Sequence, residues 1–143
     1  SDAHSGLKAA LRAVFPSVPW QRCQFHLQQN AQAYVPKKSM KQEVAESIRS
    51  VFNAPNRAEA DRLLKMAITT YEKTAPKLSE WMEENLPEGL TVFKFKASHR
   101  RRLRTSNLAE RVNKELKRRT RVASIFPNIA SCERLIVSAS LFL

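Results

Sequence analysis

Glycine is almost absent from this chain, and its scarcity is the strongest constraint on the fold. Only 2 of the 143 residues are glycine. Tight β-hairpins depend on glycine for backbone angles that other residues avoid, so a sheet built from hairpins is disfavoured. Glycine-rich phosphate loops of the G-x-G-x-x-G or P-loop type cannot be assembled from Gly6 and Gly89. The composition therefore favours long helices and excludes the common glycine-rich nucleotide-binding motifs.

Three stripes of apolar residues at helical spacing run through the middle of the chain. Prolines at positions 36, 55, 76 and 87 lie between them, where helices commonly start or stop. We therefore predict a compact all-α unit over about residues 37–86. Its stripes are Met40, Val44, Ile48, Val51 and Phe52, then Ala60, Leu63, Leu64, Ala67, Ile68 and Tyr71, then Leu78, Trp81 and Met82.

The segments on either side of this unit carry weaker patterns. Residues 3–14 show helical spacing, with Asp2 where an N-cap would stand. Loose alternation of apolar and polar residues predicts a short strand over 19–25 and an extended segment over 89–96. The remaining predictions are a helix over 26–34, a basic loop over 98–104, a helix from about Asn107 to Arg119 and a last helix starting near Pro127.

Positive charge is concentrated in one block of the sequence. The chain has 25 Lys and Arg against 13 Asp and Glu, a net charge of +12. Residues 94–121 hold 12 Lys and Arg and 2 Glu, a net of +10, which leaves +2 for the rest of the chain. A basic block on a near-neutral body is typical of a surface that binds a polyanion, so we predict a nucleic-acid partner. A solvated basic face that aids solubility is the alternative.

Several classes of protein are disfavoured by composition. No apolar run approaches the roughly 20 residues of a membrane helix, so we predict no membrane partner, and the first residues do not resemble a secretory signal. Two cysteines, Cys23 and Cys132, are too few for a disulfide framework, so we expect a reducing, cytoplasmic location. Because the chain lacks an initiator Met and closes on an apolar stretch, we expect it to be a fragment of a longer protein.

The predicted helix from Asn107 separates an apolar stripe from a charged face. The stripe spans an arc of about 80° and consists of Leu108, Val112 and Leu116. Opposite it, Glu110 lies among basic residues, within about 60° of Lys114, Lys117 and Arg121. One interpretation is local, since Asn107-x-x-Glu110 fits a capping box and Glu110 with Lys114 fits an i,i+4 ion pair. The other is a metal-binding carboxylate surrounded by cations that hold phosphates.

Smaller groups of polar residues leave further alternatives open. Cys23 and His26 have a spacing seen in zinc sites, but a structural zinc needs four ligands. The other candidates, Cys132, His4 and His99, provide no matching pair, so packing of Cys23 and His26 into a small core is the alternative. His99 with its neighbouring arginines forms either a phosphate-contacting loop or a flexible surface. No Ser/His/Asp or Cys/His arrangement for nucleophilic catalysis is evident.

Three blocks in this order resemble the Mutator family of transposases, in its bacterial insertion-sequence branch. The first block is Ser1-Asp-Ala-His-Ser-Gly-Leu-Lys-Ala-Ala10, and the second is Trp20-Gln-Arg-Cys-Gln-Phe-His-Leu-Gln-Gln-Asn30. The third, which is the most specific, runs from Arg104 through Asn-Leu-Ala-Glu-Arg-Val-Asn to Arg121 and is followed by Ile125-Phe-Pro-Asn128. The resemblance covers the whole chain and is least distinctive in the helical middle.

The resemblance implies a DDE transposase. The implied fold is a mainly α fragment of a ribonuclease-H-like α/β catalytic core, with an all-α insertion and at most one or two short strands. Residues 1–36 would be a partial core with the C-x2-H signature of Cys23 and His26, residues 37–96 the helical insertion, and residues 97–143 the remainder of the core. Asp2 matches the second catalytic Asp and Glu110 the catalytic Glu, whereas the first Asp would lie upstream. Ala3 departs from the family, which usually has Gly there.

The same resemblance implies a chemistry. Three carboxylates would hold two Mg²⁺ ions for in-line attack on a phosphodiester, and oxygen ligands suit that hard cation. Asp2 and Glu110 are therefore the expected catalytic and metal-binding residues, with Cys23 and His26 in a supporting role. The expected DNA-binding residues are Arg100, Arg101, Arg102, Arg104, Arg111, Lys114, Lys117, Arg118 and Arg121. We expect transposon ends and target DNA as partners, homo-oligomers, and no activity in a fragment without the first Asp. The alternative is a non-catalytic, basic helical DNA-binding module.

Overall fold

The computed structural model describes residues 4–123 and 125–141, with side chains as far as residue 138. These residues form eight α-helices and no strand. The helices are α1 (Ser5–Val14), α2 (Gln24–Ala31), α3 (Lys41–Phe52), α4 (Arg57–Glu72), α5 (Pro76–Asn85), α6 (Ala97–Leu103), α7 (Asn107–Ala123) and α8 (Ile129–Leu141). The chain divides into two compact units, residues 1–105 and residues 106–143.

The core of the first unit lies among α2, α3, α4 and α5. All three predicted stripes face it, and the most completely buried side chains include Leu27, Ile48, Leu78 and Met82. The local sequence marks where two of these helices start. Pro76 occupies the first turn of α5, a position where proline is common. The Asn56 side chain caps α4 by accepting a hydrogen bond of 2.9 Å from the Glu59 amide. The all-α unit predicted over 37–86 is confirmed, and α2 adds its buried face to the same core.

Polar contacts join the core helices to one another. The Ser79 hydroxyl in α5 donates to the Ile68 carbonyl in α4 at 2.9 Å, and the Tyr71 hydroxyl in α4 donates to Glu43 Oε1 in α3 at 3.1 Å. Burial, followed by the hydrogen bond to the Glu43 carboxylate, raises the pKa of Tyr71 above its ordinary value. These bonds orient helices that apolar packing alone would leave free to slide.

Three local predictions for the chain before residue 97 are wrong. The strand expected over 19–25 is irregular chain followed by the start of α2, because Arg22, Cys23 and Gln24 are all buried in succession and no face alternates. The extended segment expected over 89–96 lies instead largely in two 3₁₀ turns, Leu86–Gly89 and Thr91–Lys94. The N-cap position of α1 is His4 rather than Asp2, which lies outside the described residues.

A carboxylate ties the start of the chain to the first of these 3₁₀ turns. Glu88 accepts a hydrogen bond from the Lys8 ammonium of α1, and its other oxygen lies 3.6 Å from Arg22 Nη1. Burial raises the pKa of Glu88, but Lys8 and Arg22 outweigh it and hold the pKa below its ordinary value. Arg22 also donates to Asn85 Oδ1 at 2.8 Å. The segment around Trp20 is therefore held by ion pairs rather than by a sheet.

Gly89 is required where the chain passes close to the core, which gives a first prediction. A Cβ at this position would lie 2.7 Å from Leu27 Cδ1 and 3.0 Å from Phe52 Cε1, both in buried side chains. We expect Gly89→Ala to lower the free energy of unfolding by about 1–3 kcal/mol through overpacking. Urea unfolding followed by tryptophan fluorescence measures this, since both tryptophans lie in the first unit.

The matched control is Gly6→Ala in exposed helix α1. There the added Cβ meets only the exposed His4 ring, at 3.2 Å. Because alanine is the better helix former, we expect this change to be neutral or to stabilise by up to about 1 kcal/mol. Equal losses from the two substitutions would contradict the packing argument.

The second unit consists of α7 and α8, which pack against each other. The helix predicted to end near Arg119 continues to Ala123, and the last helix begins at Ile129. None of the side chains described in this unit is buried. Its apolar stripe residue Leu108 is 58% exposed, and Ile129 is 79% exposed. The predicted boundaries at residues 36 and 96 remain predictions.

None of the helices in the described part of the chain is both long and apolar enough for a membrane crossing.

Candidate functional site

Glu110 lies in the first turn of α7. A capping box would place Asn107 just before the first helical residue, but α7 already includes Asn107. The backbone N–H of Glu110 accordingly donates to the Ser106 carbonyl, at 2.9 Å. The Ser106 hydroxyl donates to Glu110 Oε1, so the carboxylate is held at the helix N-terminus by a neighbouring side chain. Among the described residues no ion pair joins Glu110 to Lys114. Glu110 is exposed, and its second oxygen is directed to no other described group.

Basic residues surround Glu110 on one exposed face of α7. Arg111, Lys114 and Lys117 are exposed, and their side chains make no hydrogen bond or ion pair within the described part of the chain. At 1.5 Å per residue, the face from Glu110 to Arg121 extends about 16 Å. We call Arg111, Lys114, Lys117 and Arg121 the basic face. Phosphate groups spaced along a DNA backbone are complementary to such a row.

Glu115 divides the basic residues of α7 into two groups. It accepts from Arg118 Nη2 at 2.7 Å and from Arg119 Nε at 2.7 Å. The hydrogen bond from Arg118, followed by that from Arg119, lowers the pKa of Glu115 to about 2, so it is ionised at neutral pH. Arg118, a predicted DNA ligand, is thus already paired, whereas Arg111, Lys114 and Lys117 are not. The pairing could have been predicted from sequence, because Arg118 and Arg119 follow Glu115 at i+3 and i+4.

The basic segment expected to be a loop over 98–104 is mostly helix α6. The Arg100 side chain is hydrogen-bonded to backbone of the first unit. Its Nε donates to the Phe95 carbonyl at 2.9 Å and its Nη1 to the Pro55 carbonyl at 3.1 Å. Its guanidinium also lies 5.2 Å from the centre of the Phe93 ring. Arg101 and Arg102 are exposed and have no bonded partner among the described residues. His99 is exposed on the same helix.

Arg104 anchors the end of α6 to the core helices. Its Nε donates to Gln24 Oε1 at 2.8 Å, and its Nη2 donates to Asn53 Oδ1 at 2.8 Å and to the Phe52 carbonyl. The backbone N–H of Gln24 donates in turn to the Arg104 carbonyl at 2.9 Å. Burial lowers the pKa of Arg104, which nevertheless stays charged at neutral pH. Its expected role in binding DNA stays a prediction, but the structure gives its guanidinium three acceptors in the protein.

Removing this anchor gives a second prediction. We expect Arg104→Ala to lower the free energy of unfolding by about 1–3 kcal/mol, because it leaves partly buried acceptors without a donor. The matched control is Arg102→Ala, whose exposed side chain bonds to nothing described and should change stability by less than about 0.5 kcal/mol. Urea unfolding with fluorescence detection measures both. Equal stabilities of the two variants would show that Arg104 is not an anchor.

Cys23 and His26 lie at the start of α2. Cys23 is 1% exposed and occupies the N-cap position, without a side-chain capping bond. His26 is half-buried one turn later, and its ring contacts the Phe25 ring edge-on at a centroid distance of 5.4 Å. Within the described part of the chain, no group of three or more His, Cys, Asp or Glu could hold a metal ion. No residue in the described ranges completes a zinc site with Cys23 and His26.

The predicted catalytic pair cannot be measured as a pair, because Asp2 lies outside the described residues. Glu110 has the properties of a ligand for a hard divalent cation: it is exposed, offers carboxylate oxygens and accepts a hydrogen bond from the Ser106 hydroxyl. The neighbouring cations of α7 attract phosphates.

Comparison with known proteins decides the family. The model of the family described as "Transposase, Mutator family" matches residues 1–141. The chain belongs to the Mutator family of transposases. It is 62% identical over 136 residues to the transposase of insertion sequence element IS406 of Burkholderia multivorans, covering 95% of this chain and 35% of the relative. The predicted resemblance is confirmed.

More distant relatives of this Mutator-family chain carry similar names. The transposase of ISRM5 of Rhizobium meliloti is 36% identical over 95% of this chain and 34% of its own length. The transposase of IS256 in Tn4001 of Staphylococcus aureus is 34% identical over 95% of this chain and 35% of its own length. The chain thus spans about a third of the length of the curated relatives it matches.

Proposed function

We propose that this chain carries part of the catalytic domain of a DNA transposase that cleaves and joins phosphodiester bonds at transposon ends. One observation supports this most directly: the exposed Glu110 carboxylate stands among unpaired cations on α7 in a chain of the Mutator family. Because the chain spans 35% of the IS406 transposase, we propose that the complete activity requires further chain.

We further propose that the fold is a part of a ribonuclease-H-like core and that the chemistry is of the DDE type. Asp2 and Glu110 would each provide carboxylate oxygens for Mg²⁺, and a third Asp would come from outside this chain. When bound, two such ions supply an activated oxygen nucleophile and stabilise the oxygen that leaves. A chain without the third carboxylate would be inactive. The roles of Cys23 and His26 would be to support the start of α2 beside this centre.

The residues of the chain would contribute binding and charge neutralisation. Arg111, Lys114 and Lys117 would hold the phosphates on either side of the reacting bond, which positions the phosphorus opposite Glu110. In the reaction, the oxygen of water or of a 3′-hydroxyl forms a new bond to phosphorus. The existing phosphorus–oxygen bond opposite it breaks, and the departing oxygen takes up a proton. Ser106, through its bond to Glu110, would hold the carboxylate in position.

A second candidate function rests on the same basic face. If the chain were a binding module alone, it would bind DNA in a salt-sensitive way, and Mg²⁺ would not change its affinity.

The exposed apolar residues of α7 and α8 favour assembly of several copies, so we propose homo-oligomers on the DNA.

The experiment that tests the proposed chemistry is plasmid nicking and strand transfer by a full-length transposase that contains this chain. Reactions are run with transposon-end DNA in Mg²⁺ and in EDTA. We expect cleavage and joining only in Mg²⁺. DNA binding without metal-dependent cleavage would instead support the binding module.

A further inference from the structure

A second surface of the first unit combines an exposed aromatic ring with unpaired arginines. It is a cleft of about 280 Å³ formed where α2, α3 and the end of α6 meet. Phe25, Arg49 and Arg101 line it, together with the amide side chains of Gln28 and Asn53. No carboxylate belongs to the described residues that line the cleft. The described residues that line the cleft all belong to the first unit, whereas the basic face of α7 belongs to the second.

Phe25 is exposed although its neighbours are not. Cys23 and Gln24 before it and Leu27 after it are buried, whereas Phe25 is 54% exposed. Among the described rings it contacts that of His26, edge-on. An exposed phenylalanine lacks the hydrophobic stabilisation that burial would give. A planar ligand that stacked on the Phe25 ring in the cleft would provide that burial.

The two free arginines of the cleft differ from most arginines of the unit. Arg57 and Arg62 pair with carboxylates on their own helix, and Arg22 lies near Glu88. Arg49 and Arg101 are exposed, and their guanidinium groups have no bonded partner among the described residues. Arg104, which also lines the cleft, is held in place by its bonds to Gln24, Phe52 and Asn53. The cleft therefore combines the positive charge of Arg104, held in place by its hydrogen bonds, with the charges of Arg49 and Arg101, which can pair with a bound anion.

We propose that this cleft binds one unpaired nucleotide of a DNA strand, with its base against Phe25 and its phosphate between Arg49 and Arg101. The inference rests on the proposed function for the identity of the polyanion. Aromatic rings bind unpaired bases by stacking, and guanidinium groups bind phosphates. The amides of Gln28 and Asn53 provide groups that can bond to base edges. The volume, close to the lower limit of about 300 Å³ for ligand pockets, suits one nucleotide and not a duplex.

The test measures binding of the chain to a fluorescein-labelled single-stranded 12-mer and to the blunt duplex of the same sequence, by fluorescence anisotropy. We expect Phe25→Ala to weaken single-strand binding by about 5- to 100-fold while duplex binding changes less than about twofold. Phe25→Trp should restore the single-strand affinity. Arg49→Gln and Arg101→Gln should each weaken single-strand binding and reduce its salt dependence.

Matched controls separate the cleft from general effects. Phe15 is also 54% exposed but lies outside the cleft, so Phe15→Ala should leave single-strand binding unchanged. Arg12→Gln, in exposed α1, removes one charge at a distance from the cleft. Circular dichroism of each variant establishes that the helices are retained.

Three results would overturn the proposal, and they are distinguishable. If single-strand binding is as insensitive to Phe25→Ala as to Phe15→Ala, this cleft does not bind a nucleotide, and the proposed transposase chemistry is unaffected. If neither oligonucleotide binds, the DNA-binding part of the proposed function fails together with this inference. Displacement of the 12-mer by dAMP at equal nucleotide concentration would assign the cleft to free nucleotides and would also overturn it.

Discussion

Replacing Glu110 by glutamine is expected to lower strand cleavage and transfer by a full-length transposase containing this chain by about a thousandfold or more. The physical reason is that glutamine retains the size and the acceptor oxygen but removes the negative charge that would hold a divalent cation. Binding of DNA should stay the same or become tighter, because the substitution removes a negative charge from the middle of the basic face. Opposite effects on catalysis and affinity are the signature of a catalytic carboxylate.

The matched control for this prediction is Glu115→Gln. Glu115 lies on the same helix but is paired with Arg118 and Arg119, so its loss should leave cleavage within a fewfold of the unchanged protein. Rates are compared from single-turnover nicking of a labelled transposon end, with binding measured separately in Ca²⁺. Full activity of Glu110→Gln would remove this residue from the catalytic assignment. Equal losses from both substitutions would indicate damage to α7 rather than to the chemistry.

Removing the three unpaired cations of the basic face is expected to produce the largest change in DNA affinity. In the triple variant Arg111→Gln, Lys114→Gln, Lys117→Gln, the slope of log K against log salt should become shallower by about 0.9 per lost contact. The affinity for duplex DNA at 0.1 M salt should fall by roughly two orders of magnitude, because counterion release by these contacts is lost. Titration at several salt concentrations measures both quantities.

The control removes the same charge from another part of the chain. Lys65, Lys73 and Lys77 are exposed on or beside α4 and α5, and their side chains have no bonded partner among the described residues. Their triple change to glutamine lowers the net charge equally but should leave the slope nearly unchanged. If both triples weaken binding equally, DNA is attracted by overall charge and α7 carries no specific contact surface.

The helices could be predicted from sequence wherever burial repeats at helical spacing. Val44, Ile48 and Val51 in α3 show this, since each is fully buried on one face. Prediction failed where burial is consecutive or irregular. At Arg22, Cys23 and Gln24 the chain is enclosed on all sides, and around Leu90 and Val92 the 3₁₀ turns produce an apparent alternation without a strand.

The site was predictable to the extent that it is local. The face around Glu110 follows from residue spacing along one helix, which sequence alone reveals. The hydrogen bonds that join Arg104 to the core helices could not be predicted in this way. Its acceptors on Gln24 and Phe52 lie 80 and 52 residues away in the sequence. Arg49 and Phe25 were missed for the same reason: each is unremarkable in its own segment, and only the packing of α2 against α3 brings them to one cleft.

The absence of buried side chains in the described part of the α7–α8 unit bears on when the proposed activity could occur. Without a core of its own, this pair of helices opens at little cost, and we expect its backbone amides to exchange with deuterium far faster than those of α3 to α5. Binding to DNA or to a further part of the transposase should slow that exchange. The helix that carries Glu110 would then be fully ordered only in the assembled complex. Such a dependence on assembly would protect the host chromosome from indiscriminate cutting by isolated molecules.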